Sequence, residues 1–186
     1  MDHRILDLIL VCAKGLKKSS FIGRMDVYAV ASISGTTGKI QKLRTTVDKN
    51  GDTDPTWNFP MKFIIDEPAA LQNNHILVVK IKAARIFRGK NLGEVHVPIK
   101  DLLDGVKVEG KSLESVSYQV IRRSGEPKGI LSFWYEVGEK FTGKPVESVT
   151  VYPPPPPPPP MPDIWPSESW INNSGMGLGT GLIGGF

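Results

Sequence analysis

Asp54-Pro55-Thr56-Trp57-Asn58-Phe59-Pro60-Met61-Lys62-Phe63-Ile64 reads as a turn running into a strand. Upstream, Lys49-Asn50-Gly51-Asp52 concentrates the residues that favour turns. Downstream, Asn58–Ile64 is short and carries Phe59, Phe63 and Ile64. The same pattern extends to both sides. Ile5–Ala13, Val27–Ile33, Gln41–Thr46, His75–Lys82, Asn91–Pro98, Ser115–Ile121 and Ile130–Val137 are each short and rich in Val, Ile, aromatics or Thr. Turn-formers separate several of them, as in Ser34-Gly35-Thr36-Thr37-Gly38 and Ser124-Gly125-Glu126-Pro127. Eight strands at this spacing, with little helix between them, predict an all-β antiparallel sandwich or barrel. Two segments suit single helical turns. Glu67–Leu71 puts Pro68 where a first turn tolerates it, and Ile99–Leu103 is the other. Trp57 and Trp134 are expected in the core.

The charge is uneven. Beyond Lys140, one lysine stands against three acids, a net −2, so the first 140 residues carry +6 of a whole-chain +4. A basic globular part suits an acidic partner. Cys12 is the only cysteine, which precludes a disulfide within the chain and fits a reducing compartment. It lies in the apolar run Ile5–Ala13, as a buried thiol would. That run reads as a first strand and not as a leader, because Asp7 interrupts it and Lys14, Lys17 and Lys18 follow. No apolar stretch approaches the ~18 residues needed to span a bilayer. A cytoplasmic protein, peripheral at membrane, is expected.

Two domains of organisation follow: residues 1–140 as the sandwich and 141–186 as a disordered tail. Pro153–Pro160 is an unbroken proline run that should form a stiff polyproline II rod. Gly175–Phe186 is Gly-rich and apolar, and nothing in the tail can build a core. Pro153, Pro156 and Pro160 would dock in an aromatic groove of an SH3, WW or profilin-like partner, with Trp165 as an anchor. The alternative is a spacer, which does not require Trp165 or Trp170.

Enzyme readings find no support. Gly179-Thr180-Gly181-Leu182-Ile183-Gly184 spells a dinucleotide fingerprint but has no room for a βαβ unit. His3, His75 and His96 stand apart, without a triad partner or metal spacing. No nucleic-acid motif appears. The expectation is a non-enzymatic protein without a cofactor.

The first 140 residues resemble a C2 domain. The matching elements, in order, are Ala13-Lys14-Gly15-Leu16, Asp26-Val27-Tyr28-Ala29-Val30, basic Lys42–Arg44, Asp54-Pro55-Thr56-Trp57-Asn58, Leu77–Ile81, Asn91–Val95 and the closing Gly129–Glu136. No strand precedes Ile5, which points to the type II arrangement. A proline-rich stretch and a Gly-Met-Gly-Leu-Gly end follow. Together these resemble the small plant C2 proteins named for a soybean gene regulated by cold, and the resemblance implies a membrane-linked role in stress or defence response.

C2 domains hold calcium through about five Asp residues on the first and third loops, and the ion wants six to eight oxygens. Here the resemblance places those positions on Ser20, Asp26, Ala83, Arg85 and a site near Gly89 or Lys90. Only Asp26 keeps a carboxylate, so no metal is expected at these loops. Asp48, Asp52 and Asp54 form a separate acidic run, read as a solvated turn. The loops are instead rich in cations. Lys17, Lys18 and Arg24 bracket Phe21 and Ile22; Lys82, Arg85, Arg88 and Lys90 bracket Ile86 and Phe87. Basic residues around an apolar pair suit anionic lipid, with cations at headgroups and Phe and Ile in the interface. Lys39, Lys42 and Arg44 could add a lateral patch. The expected function is thus a peripheral adaptor: phospholipid binding largely without calcium, with a tail that recruits a protein. The alternatives are a protein-interaction C2 domain regulating a membrane enzyme or immune component with little lipid affinity, and a calcium-dependent lipid-binding domain.

Overall fold

A computed structural model describes residues 2–19, 23–34, 40–72, 74–84, 89–105 and 113–143. The chain divides into two units, residues 1–150 and 151–186, and the described residues belong to the first. Of the expected disordered tail, residues 141–143 are described, and Phe141 and Thr142 form a strand; the polyproline run and the rest of it lie outside the described residues.

The strands are β1 (Asp2–Lys14), β2 (Val27–Ser34), β3 (Ile40–Arg44), β4 (Thr56–Asp66), β5 (Ile76–Ala83), β6 (Lys90–Pro98), β7 (Glu114–Ile121), β8 (Pro127–Val137) and β9 (Phe141–Thr142). Helix α1 (Glu67–Leu71) follows β4, and α2 (Ile99–Gly105) follows β6. All eight predicted strands and both helical turns are present. β9 is an addition, pairing Thr142 with Asp2 and Phe141 with His3.

Every strand pairing is antiparallel, in the order β3-β2-β5-β6-β7-β8-β1-β4. Among the described residues, β6 and β7 pair at Glu94↔Ile121 alone, so the path curls there and closes two layers on one core. The first strand is internal, between β8 and β4, as the type II arrangement requires.

Successive strand residues face opposite ways, and the core follows that period. Leu6, Leu8 and Leu10 of β1 point inward with Met61, Phe63 and Ile65 of β4 and Leu131, Phe133 and Tyr135 of β8. Ala29, Ala31 and Ile33 of β2 and Leu77, Val79 and Ile81 of β5 line the other layer. Each large side chain so buried stabilises the fold by about 1.5–3 kcal/mol.

The two tryptophans part company. Trp57 is in the core, its indole Nε1 donating to the Val27 carbonyl at 3.0 Å. Trp134 is only half-buried, on the outward face of β8 opposite Ile9 and Ser115. Phe133 and Tyr135 take the inward positions on either side, so the strand's period decides where Trp134 points. Cys12 is buried, as expected, and burial pushes its thiol up, so the thiolate is disfavoured.

The free edges of the two layers are tied by one side chain. Gln41 of β3 accepts from the Ile64 amide at 2.9 Å and donates to the Ile64 carbonyl at 2.5 Å. Its amide thus acts as a surrogate rung for edge strand β4.

Candidate functional site

Antiparallel pairing brings four connections to one end of the sandwich. They are residues 15–26 after β1, 45–55 between β3 and β4, 84–89 between β5 and β6, and 122–126 between β7 and β8. The bases of these loops are laced together. The Asp26 carbonyl accepts from the Ala84 amide at 2.7 Å, joining loop one to loop three. Leu16 donates to the Thr53 carbonyl at 3.0 Å, and Ala13 to that of Pro55 at 3.0 Å. Gly129 of β8 lies so close to loop one that a Cβ there would meet the Lys14 carbonyl at 2.9 Å; its φ of +97° also favours glycine.

The acidic run is committed to this lacing. Asp48 accepts from three main-chain amides, those of Thr56 at 2.8 Å, Asn50 at 2.8 Å and Gly51 at 3.0 Å. Burial acts to raise the Asp48 carboxyl, but the three amides outweigh it and hold the group below the usual range. Asp54 is held low by the Thr53 hydroxyl and then by the Gly15 amide. Asp52 is held low by Lys18 at 3.0 Å and then by the Met25 amide at 3.0 Å. Among the described residues, no group of three or more His, Cys, Asp or Glu could hold a metal ion. Asp48→Ala would remove three main-chain hydrogen bonds to a charged acceptor, two of them exposed and one part-buried. It should destabilise the domain by about 2–3 kcal/mol; urea unfolding at the wild-type midpoint would contradict this.

The predicted lipid residues divide. Lys17, Lys18, Arg24 and Lys90 are exposed at the loop end. Lys18 shares its charge with Asp52. Phe21, Ile22, Arg85, Phe87 and Arg88 lie outside the described residues, as do Lys39, Pro153, Pro156, Pro160 and Trp165.

The lateral patch is larger than the sequence suggested. Val30 of β2 lies opposite Arg44 on one side and Lys80 on the other. Ser32 lies opposite Lys42, and Tyr28 opposite Lys82. Residues directly opposite share a face, so Lys42, Arg44, Lys80 and Lys82 stand together on the outer face of β3-β2-β5. Val30 and Tyr28 are 7% and 8% exposed despite pointing outward, and the Tyr28 hydroxyl lies against Gly89, where a Cβ would clash with it. The Arg44 guanidinium stacks 3.9 Å from the centre of the Tyr28 ring. Ile40, 67% exposed, continues the β3 side of this face. The acid beside it is Glu94 of β6, 3.8 Å from Lys80 and 2.9 Å from the His96 imidazole.

Lys80 was missed because it sits inside the apolar run Leu77–Ile81, where only strand register reveals its direction. A second omission is the β7–β8 hairpin, whose turn carries Arg122 and Arg123 and whose second strand carries Lys128 near its start. The type II strand order was the available signal, since it returns the last hairpin to that end.

The curled antiparallel sheet and its looped end define a C2 domain. The C2 family profile matches residues 4–114, and the chain belongs to that family. In particular, it is similar to protein SRC2 of Glycine max, 39% identical over 139 residues, covering 75% of this chain and 48% of that protein. It is 43% identical over 143 residues to the SRC2 homolog of Arabidopsis thaliana, covering 76% and 43% of the two chains. The chain therefore spans less than half the length of both relatives. Among solved structures, a C2 domain of plant Extended Synaptotagmin 1 matches with a TM-score of 0.59 at 20% identity, over 75% of this chain and 96% of that one. At that identity the likeness speaks to the fold alone.

Proposed function

We propose that this C2 domain is a non-enzymatic peripheral adaptor that docks on anionic lipid without a calcium bridge. The observation that carries the reading is the register that gathers Lys42, Arg44, Lys80 and Lys82 on one face. Lys82 lies at the loop end of β5, and Lys17, Arg24 and Lys90 are exposed on the connections at that same end. Each cation near an anionic surface contributes about 1 kcal/mol, and Phe21, Ile22 and Phe87 would enter the interface. The carboxylates Asp48, Asp52 and Asp54 already accept hydrogen bonds from the protein, which supports a mechanism without calcium. Among the described residues, no helix is long and apolar enough to cross a membrane.

The proline-rich tail would recruit a protein with an SH3, WW or profilin-like groove. The likeness to the SRC2 proteins supports a plant stress or defence setting.

Flotation of the full chain with vesicles in chelator tests the docking. Binding should require phosphatidylserine and fall as salt is raised, because screening shortens the reach of the cations. Failure to bind anionic vesicles would remove the lipid reading and leave protein recognition.

A further inference from the structure

Three hydroxyl side chains among the described residues directly follow a basic residue. Ser19 follows Lys17-Lys18, Thr45 follows Arg44, and Ser124 follows Arg122-Arg123. Their surroundings separate them. Ser19 is half-buried, and its Oγ donates to the Met25 sulfur at 3.3 Å. Thr45 is 3% exposed, its hydroxyl held between the Ala29 amide at 2.9 Å and the Thr46 carbonyl at 2.8 Å. Ser124 is exposed at the tip of the β7–β8 hairpin, with Arg123 exposed beside it. The space around the tip is open: a Cβ on Gly125 would meet nothing within 4 Å.

We propose that Ser124 is a phosphorylation site for a protein kinase that reads arginine on the N-terminal side of its acceptor. The Ser124 Oγ would attack the γ-phosphorus of magnesium-ATP. The bond from that phosphorus to the bridging oxygen breaks, ADP leaves, and the serine proton passes to the kinase's catalytic carboxylate.

The hairpin tip can open to reach such a groove without unravelling the sheet. Two main-chain bonds close it, Arg122 N–H to the Glu126 carbonyl at 2.9 Å and Gly125 N–H to the Arg122 carbonyl at 2.8 Å. The first rung below them pairs Ile121 with Pro127, which has no N–H to donate. A register irregularity between Gln119 and Ile121 weakens the next step. The sheet proper resumes at Gln119↔Ile130.

The phosphate would act on the docking end described above, and this regulatory part rests on that reading. Residues 122–128 carry Arg122, Arg123 and Lys128 against Glu126, a net +2. A phosphoserine adds about −2 at neutral pH, which cancels that charge. Arg122 now pairs with Glu126. The phosphate offers it a stronger, bidentate acceptor and draws the turn's cations away from lipid. Phosphorylation should therefore weaken binding to anionic vesicles about thirtyfold, from two cancelled charges at about 1 kcal/mol each.

The test incubates the full chain with labelled ATP and the catalytic subunit of a cyclic-AMP-dependent kinase. Label should appear on wild type, map to Ser124 by mass spectrometry, vanish in Ser124→Ala and fall at least about tenfold in Arg122→Ala/Arg123→Ala, as expected when kinase binding loses two charge-assisted contacts. No label, or label that persists in Ser124→Ala, overturns the site. Phosphorylated and untreated wild type are then compared on phosphatidylserine vesicles in chelator. Equal binding overturns the regulation while leaving the site. If untreated protein fails to bind, the docking reading and the regulation fall together, and the labelling result stands by itself.

Discussion

Glutamate at Lys42, Arg44, Lys80 and Lys82 together should lower affinity for phosphatidylserine vesicles by more than about a hundredfold. Each cation supplies about 1 kcal/mol at an anionic surface. Four lost attractions amount to about 4 kcal/mol, and four new repulsions add to the loss. The fold should survive, because all four side chains stand on the outer face, clear of the core residues Ala29, Ala31, Leu77 and Val79. The contacts removed are Arg44 on Tyr28, worth about 0.5–1 kcal/mol at an exposed site, and the exposed Lys80–Glu94 ion pair, worth about 0–1 kcal/mol. Circular dichroism and thermal unfolding would verify this before vesicles are added. Reversal at Lys17, Arg24 and Lys90 should give a smaller loss than reversal on the sheet face. The opposite ranking would place the lipid at the loop end, and retention of affinity in both sets would contradict charge-driven docking.

The second large effect is on stability. Glu67 opens α1 and is 7% exposed. Its Oε1 receives Arg4 Nε of β1 at 2.9 Å, and its Oε2 receives Lys140 Nζ at 2.7 Å. One carboxylate thus ties the start of the chain, the first helix and the segment between β8 and β9. Glu67→Gln keeps the shape and removes the charge, leaving Arg4 partly buried without its ion partner. Breaking a fully buried pair costs about 3–5 kcal/mol. Arg4 and Lys140 are 25% and 53% exposed here, so about 2 kcal/mol is expected.

The same variant has a pH signature. Burial acts to raise the Glu67 carboxyl, but Lys140 and Arg4 outweigh it, so its folded value lies below the ordinary glutamate value. The unfolded chain therefore binds the proton first as pH falls. The stabilisation is complete above the ordinary glutamate range and is lost as pH drops through it toward the folded value. Wild type and Glu67→Gln should differ at neutral pH and converge in acid. A stability gap that stays constant down to strongly acidic pH would show that the ion pairs are not its cause.

The fold was legible because its strands are separated by turns and carry their own period. Ile5–Ala13 and Asn58–Ile64 could be read as strands without knowledge of their neighbours, and they pair directly in the fold. Trp134 illustrates the limit: a large aromatic suggests a core position, yet its neighbours Phe133 and Tyr135 occupy the inward side. Asp48, Asp52 and Asp54 were legible as a turn. Their work as acceptors for amides from Gly15 to Thr56 was not, since it depends on contacts up to 39 residues apart. Lys80 and Arg44 are separated by most of two strands and the first helix, and only the β2 register shows that they share a face.

The most direct test is the equilibrium affinity of the full chain for phosphatidylserine vesicles, measured on one preparation in chelator and in millimolar calcium. The account predicts the same affinity in both, falling with salt in parallel. Binding that appears only with calcium would contradict it and would require a metal site at the loops.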